Sequence, residues 1–132
     1  MWKEIVISII IIAIIFIGND ITQNYTIESA ENLSNKLGEL KEKIENVSDS
    51  DDSNQELNDK LNEIWQDWES RHDKLAYYIE HNELEKVEDD FTGIKTYLES
   101  KEYAEAISEL DESTFVLRHI KEKYEFNLQN IF

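Results

Sequence analysis

A run of fourteen almost purely apolar residues close to the N-terminus constrains this chain most. Residues 5–18 read IVISIIIIAIIFIG, in which Ser8 is the only polar side chain and nine residues are Ile. As a helix this run covers roughly 21 Å, which is short of the roughly 30 Å hydrocarbon core of a bilayer. Trp2 can lie at the interface and Lys3 can extend its amine to the headgroups, so both lengthen the usable span. The run therefore predicts a membrane anchor.

A cleaved signal peptide is the main alternative, because its apolar region has the same length. Such a peptide ends in small residues with an A-x-A-like pattern. Here Phe16, Ile17 and Gly18 lead into Asn19, which makes a poor cleavage site. We expect an uncleaved anchor, while a cleaved signal and a buried core helix stay open as alternatives.

Basic residues predict the orientation of the anchor. Lys3 and the α-amino group precede the apolar run, and no Lys or Arg follows it until Lys36. By the positive-inside rule, the N-terminus then lies in the cytoplasm and the rest of the chain outside. The expected location is the cell membrane, crossed once.

The charge of the chain limits its partners. It has 30 acidic and 13 basic residues, for a net charge of −17. A surface of this sign repels nucleic acid phosphates, so we expect no nucleic acid partner, and the ordinary interpretation of the charge is solubility. There is no Cys, which excludes disulfides, thiolate metal sites and Cys nucleophiles.

The chain has no Pro and only three Gly, and this favours long helices over strands and tight turns. No strong breaker follows Gly18, so we expect one helix from the membrane to about Asn46. Apolar residues in that helix recur at steps of three and four, which is typical of the a/d seam of a coiled coil. The seam consists of Ala30, Leu33, Leu37, Leu40, Ile44 and Val47.

A loop over residues 48–53, which read SDSDDS, separates the first helix from the second. Ser53 with Glu56 has the pattern of a capping box that starts the second helix. The apolar stripe of this helix continues to Ile79, and Tyr77 lies on its last part.

The next break is predicted near His81. Asn82 with Glu85 again has the pattern of an N-cap and its partner, and a turn at Ser100 and Lys101 separates the third helix from the fourth. Short loops make sequential helices antiparallel neighbours. The predicted fold is therefore all-α, with an N-terminal transmembrane helix that continues into an antiparallel four-helix bundle or a similar helical array. Residues 1–20 are the predicted anchor and residues 21–132 the acidic bundle domain.

Two groups of aromatic and apolar residues are candidates for a binding surface. Trp65 and Trp68 share a helix face; core packing is the ordinary interpretation, and an aromatic pocket for a small ligand is the alternative. The closing residues 125–132 form either a docked final turn or an exposed apolar peptide that binds a partner. With two polar residues at the second helix break, the candidate partner or ligand surface comprises Trp65, Trp68, His81, Glu83, Phe126, Ile131 and Phe132.

No motif predicts catalysis. The acidic residues around His81 could be imagined as metal ligands, but there is no H-E-x-x-H pattern. Glu69 and His72 make a single E-x-x-H, whereas a di-iron bundle needs that motif on two helices. A calcium loop starting at Asp49 would want Gly at its sixth position and Glu at its twelfth, which hold Asn54 and Lys60. We expect no enzyme activity, no metal and no cofactor.

Short motifs are spread along most of the chain: a Trp in the second helix, YIEHNEL at 78–84, LRHI at 117–120 and LQNIF at 128–132. With these motifs the chain resembles a family of bacterial proteins catalogued as domain of unknown function 4363. The resemblance implies a short N-terminal membrane segment followed by an acidic helical domain, in proteins mostly from spore-forming Gram-positive bacteria. It implies no activity. Because members are often encoded beside a multi-pass membrane protein, it also implies a membrane partner.

The sequence favours an anchored interaction module, which docks on an integral membrane protein or on a second copy of itself. The single anchor, the long seam and the lack of catalytic patterning motivate this hypothesis. An extracytoplasmic bundle that binds or senses a small ligand is the alternative. An enzyme or metal protein ranks below both.

Overall fold

The computed structural model describes residues 1–47 and 51–131, without the side chains of Asp51, Asp52, Leu128 and Ile131. Within these ranges it contains four helices and no strand: α1 (Trp2–Glu45), α2 (Asp51–Leu75), α3 (His81–Glu99) and α4 (Tyr103–Ile131). The predicted all-α fold, with a long apolar N-terminal helix that continues into a helical array, is confirmed.

The four helices form an up-down-up-down array. Each helix packs on its neighbour in the chain, and α1 also packs closely on α4; in the described part of the chain, no Cα atoms of the diagonal helix pairs lie within 8 Å of each other. Two ion pairs mark the antiparallel register of α1 and α4: Lys41 Nζ lies 2.7 Å from Asp111 Oδ1, and Lys121 Nζ lies 3.4 Å from Glu31 Oε1.

The core follows the periodic apolar stripes of the four helices. The predicted α1 seam is buried from Ala30 to Ile44, and Val47 packs against its edge. Each large apolar side chain contributes roughly 1.5–3 kcal/mol on burial, which is what holds amphipathic helices together. The largest fully buried side chains are Trp68, Phe91, Leu33, Leu37, Leu40, Leu61, Ile64, Leu75, Ile94, Leu98, Leu110 and Leu117.

Helix α1 is continuous over 44 residues, or roughly 66 Å, as the lack of Pro predicts. Residues 1–18 are exposed on every face, and packing begins at Asn19, which is partly buried. The most apolar 18-residue window of α1 has a mean hydropathy of 2.5, and none of it is buried. By length and composition, this part of α1 is a candidate membrane span.

Both predicted N-caps are wrong. Helix α2 begins at Asp51, so Ser53 lies within the helix, while residues 48–50 of the predicted loop lie outside the described residues. Acidic residues are favourable in a first helical turn because of the helix dipole, which explains the earlier start. Helix α3 begins at His81, so Asn82 lies in its first turn, and Glu80 takes the N-cap position in an extended conformation without a side-chain cap hydrogen bond.

The ends of α2 and α3 differ in how well the sequence predicted them. Helix α2 stops at Leu75, so Tyr77 lies in a turn and not on the helix, although Ile79 is still buried at 5 % exposure. The predicted turn between α3 and α4 is confirmed. There Lys101 has a left-handed φ of 59°, and the amide of Glu102 donates to the carbonyl of Tyr97 at 2.8 Å, as in a Schellman-type helix end.

Candidate functional site

The end of the array where α1 emerges is the best candidate for a functional surface. The α2–α3 turn (residues 76–80) lies at this end, because α2 ends there and α3 begins there. The register between α1 and α4 also places the end of α4 there. In both ion pairs that mark the α1–α4 register, the two residue numbers add to 152. Residues of α1 and α4 whose numbers have this sum therefore lie side by side, which places the backbone of Ile131 level with Ile21. We call this end the bundle base.

A cleft of about 290 Å³ opens at the bundle base. Tyr77 is 83 % exposed beside it and Tyr78 is 40 % exposed. The ammonium of Lys74 lies 5.2 Å from the ring centroid of Tyr25, within the range of a cation–π contact. We call this feature the tyrosine cleft; its lining consists of Ile21, Thr22, Tyr25, Lys74, Tyr77 and Tyr78.

A polar network next to the tyrosine cleft holds α1 against α2. Arg71 donates from Nη1 to Ser29 Oγ at 3.0 Å and from Nε to Asp67 at 2.9 Å, and Lys36 donates to Asp67 at 3.0 Å. Burial alone would raise the pKa of Asp67, but the hydrogen bonds from Arg71 and Lys36 together outweigh it and lower that pKa. The network satisfies Ser29, which is fully buried, and fixes the register of the two helices.

The two predicted Trp residues belong to the core and its edge. Trp68 is fully buried, so it offers no contact area to a partner in this fold. Its ring packs edge-on against Phe91 at 6.0 Å, and its indole N–H donates to Glu88 at 3.2 Å. Trp65 is partly buried and packs edge-on against the same Phe91 at 5.7 Å. The two rings therefore fill the space in which a ligand pocket was the alternative.

His81 and Glu83 lie at the start of α3, near the bundle base. The His81 side chain is 81 % exposed, and its Nε2 lies 2.9 Å from Glu85 on the next turn. Glu83 faces α4, where Lys123 Nζ lies 3.7 Å from it and 3.0 Å from Glu80. The hydrogen bond to Glu80 raises the pKa of Lys123. These contacts tie the start of α3 to α4, and of the two predicted residues His81 is the one that offers an open surface.

The predicted tail is the last two turns of α4. Phe126 is 66 % exposed and stands out from the array, two residues after the buried Tyr124. The side chain of Ile131 and all of Phe132 lie outside the described residues. Of the seven predicted surface residues, the structure thus leaves His81 and Phe126 exposed near the bundle base, while Trp68 is in the core.

The model of one protein family, "Domain of unknown function (DUF4363)", matches residues 21–131. The chain belongs to the DUF4363 family. The match begins two residues after the point at which α1 enters the array, so it covers the four packed helices and leaves out the exposed apolar segment. Comparison with curated proteins and with solved structures gave no match.

A second feature of the DUF4363 domain is an acidic cluster between α3 and α4. One carboxylate oxygen from each of Asp90, Glu109 and Glu112 lies within 4.8 Å of the others. Asp90 is fully buried, and its Oδ2 has no hydrogen-bond partner among the described residues. Lys86 pairs with Asp90 and, at 2.8 Å, with Glu112. Gly93 makes room for the cluster, since a Cβ there would lie 3.0 Å from Cδ of Glu109.

The pKa shifts in this cluster follow from burial and from crowded charge. Burial raises the pKa of Asp90 and outweighs the hydrogen bond from Lys86. Burial, and then the charges of Asp90 and Glu112, raise the pKa of Glu109. Hydrogen bonds to Asp90 and Glu112 raise the pKa of Lys86. Burial and crowded charge therefore favour the protonated forms of Asp90 and Glu109, while the ammonium of Lys86 already pairs with two of the three carboxylates.

Sequence reasoning missed both the acidic cluster and the tyrosine cleft. Asp90 directly precedes Phe91 on α3, and among so many acidic residues it looked like an ordinary solvated side chain. Gly93 was the available signal, because a Gly inside a helix often marks a close approach of another group. The apolar stripe places Tyr77 on the last part of α2, whereas the helix ends at Leu75 and the turn after it brings Tyr77 and Tyr78 to the cleft.

Proposed function

We propose that this chain is a membrane-anchored interaction module, whose helical array stands on the extracytoplasmic face of the cell membrane and docks on an integral membrane protein. The observation that supports this best is α1 itself. Its exposed apolar part and its packed part are one continuous helix. Without a flexible linker between them, the array is held at a fixed height and angle above the membrane.

The orientation is part of the proposal and rests on Lys3 before the apolar segment and the lack of basic residues in the first turns after it. The apolar segment offers a partner side chains on all faces within the membrane; Ile10, for example, is 51 % exposed. At the bundle base, Phe126 and His81 offer further exposed contact points. A single-pass helix that carries no catalytic motif fits a role in binding.

Site-specific photo-cross-linking in native membranes tests this proposal. A photoreactive amino acid at Ile10 or Phe126 should give a discrete adduct with one membrane protein. The matched control is Glu102, an exposed residue in the turn between α3 and α4 at the opposite end of the array, where we expect no adduct. Recovery of unlinked monomer from all three positions would refute the proposal. A topology reporter fused after residue 132 tests the orientation.

A homo-oligomer is the second form of the same proposal, and the cross-linked mass separates the two, since an adduct of twice the chain mass indicates a second copy. The small-ligand alternative receives less support, because Trp68 and Phe91 pack directly against each other where a central pocket was considered.

A further inference from the structure

We propose that the tyrosine cleft is a membrane foot, which contacts the phospholipid headgroup layer of the membrane that α1 enters and supports the array at the height and angle that α1 gives it. This inference rests on the proposed anchoring of α1. It adds a contact that anchoring alone does not require: direct immersion of the α2–α3 turn in the headgroups.

The height of the cleft along α1 supports this inference. Ile21 and Thr22, which line the cleft, lie three and four residues past Gly18, or roughly 5–6 Å along the helix axis. The headgroup layer on each side of a bilayer is roughly 5–8 Å thick. With the end of the apolar run at the edge of the hydrocarbon, the cleft therefore lies within the headgroup layer.

The length of the apolar run draws the base further toward the bilayer. At roughly 21 Å the run is shorter than the roughly 30 Å hydrocarbon core, and a short span is relieved by local thinning or by a deeper position of its flanks. Ile21 lies on the array side of the run and is 63 % exposed. Such a shift would move this apolar side chain out of water toward the hydrocarbon.

The chemistry of the cleft suits the headgroup layer. Tyr is enriched at membrane interfaces because its ring is apolar and its hydroxyl is polar. Tyr77 and Tyr78 are adjacent and tilted by 59°, with centroids 6.4 Å apart, and both are exposed. Lys74 places one ammonium beside them, where a lipid phosphate can accept its hydrogen bonds.

The charges at the bundle base argue against attraction to anionic lipid as the main cause of this contact. Asp73 precedes Lys74, and Asp20 precedes Ile21. The bundle base therefore carries acidic groups beside Lys74, the one basic residue that lines the cleft. Contact through aromatic rings does not depend on salt, whereas attraction to an anionic surface is screened by it. We therefore expect the same contact on zwitterionic lipid and at high salt.

Depth measurements on the full chain in vesicles test the foot. The chain has no Cys, so single Cys substitutions can carry an environment-sensitive fluorophore. Ala76→Cys reports on the exposed α2–α3 turn and keeps both tyrosines. Ile10→Cys reports on insertion of α1. Phe115→Cys is the matched exposed control, since the α1–α4 register places it level with Leu37, 19 residues past Gly18, or roughly 28 Å away.

On phosphatidylcholine vesicles with a quencher in the headgroup region, we expect the label at 76 to be quenched at least about threefold more than the label at 115. Quenching should persist at on the order of 0.5 M NaCl, where charge attraction is screened beyond a few ångströms. In the Tyr77→Ser, Tyr78→Ser background, quenching at 76 should fall toward that at 115. Both tyrosines are exposed, so circular dichroism should be unchanged.

The controls separate failure of the foot from failure of the anchor. If the label at 10 is quenched by lipid-borne quenchers in the acyl region but the label at 76 behaves like the label at 115, the foot is wrong and anchoring stands. If the label at 10 is not quenched, α1 does not insert, and both proposals fail. If the label at 76 is shielded only in native membranes and not in pure lipid, a protein covers the cleft, which also overturns the foot.

Discussion

Two glycines inside helices allow the acidic cluster to be tested by the free energy of unfolding. Gly38 lies on the exposed face of α1, and a Cβ added there would meet no atom within 4 Å. Replacing Gly by Ala in an open helix interior stabilises by about 1 kcal/mol. Gly93→Ala brings the same gain, but its Cβ would lie 3.0–3.1 Å from three atoms of Glu109. The side chain of Glu109 must then shift by a few tenths of an ångström to make room for this Cβ.

We therefore expect Gly38→Ala to stabilise by about 1 kcal/mol, which raises Tm by about 4 °C for a domain of this size. Gly93→Ala should gain less than about half of that. In the Glu109→Ala background the obstruction is gone, so Gly93→Ala should recover the full gain of about 1 kcal/mol. The coupling between positions 93 and 109 is then about 0.5 kcal/mol or more.

Urea denaturation of the full chain in detergent micelles, followed by far-UV circular dichroism, measures all four variants. Gly38→Ala is the control for helix propensity, since it shares the substitution and lacks the neighbour. If Gly93→Ala stabilises as much as Gly38→Ala and removal of the Glu109 carboxylate makes no difference, then Glu109 does not rest on Gly93 and the described geometry of the cluster is wrong.

Three further predictions follow from named contacts. Trp68→Ala should destabilise the array by about 3–5 kcal/mol, because it empties a fully buried site; retention of the wild-type urea midpoint would contradict the burial. The pKa values of Asp90 and Glu109 are raised, so their contribution to stability is present at low pH and is lost as pH rises above their ordinary values near 4. In urea titrations, the double variant Asp90→Asn, Glu109→Gln should accordingly lose less unfolding free energy than the wild type between pH 4 and pH 7. The same change of unfolding free energy with pH in both proteins would contradict the raised pKa values of Asp90 and Glu109. Asp20→Pro should kink α1 at a local cost of about 3 kcal/mol. The distribution of distances between a label at Phe115 and the membrane should then broaden. An unchanged narrow distribution would show that α1 does not fix the height of the array.

The sequence was informative wherever a pattern repeats along one helix. The apolar steps of three and four from Ala30 to Ile44 predicted both the existence of the long helix and the face that it buries, and all of these residues are buried. This works because the free energy of burying a periodic stripe is large compared with the differences between neighbouring residues. Helix starts were less predictable, since Ser53 is an acceptable N-cap and Asp51 an acceptable first-turn residue, and each of these preferences is worth only about 1 kcal/mol.

The sequence left alternatives open for residues whose role depends on a neighbouring helix. Core packing is the ordinary interpretation of Trp68 from its spacing, but it takes the approach of Phe91 from α3 to show that no aromatic pocket is left there. From the sequence, Asp90 looks like a solvated acidic residue, but the packing of α4 over Gly93 buries it. In each case the deciding contact joins residues far apart in sequence, so no local pattern carries the information.

The amino-acid sequence by itself determined that this chain has a bare apolar helix that leads directly into an amphipathic one, because both properties are local to α1. Only the tertiary structure decided what lies at the junction between them. The pairing of Arg71 with Ser29 fixes α2 against α1 and brings Tyr77 and Tyr78 beside Ile21. Register between antiparallel helices depends on the packing of whole faces, and that is why a single pass along the sequence could not place the tyrosine cleft beside the membrane end of α1.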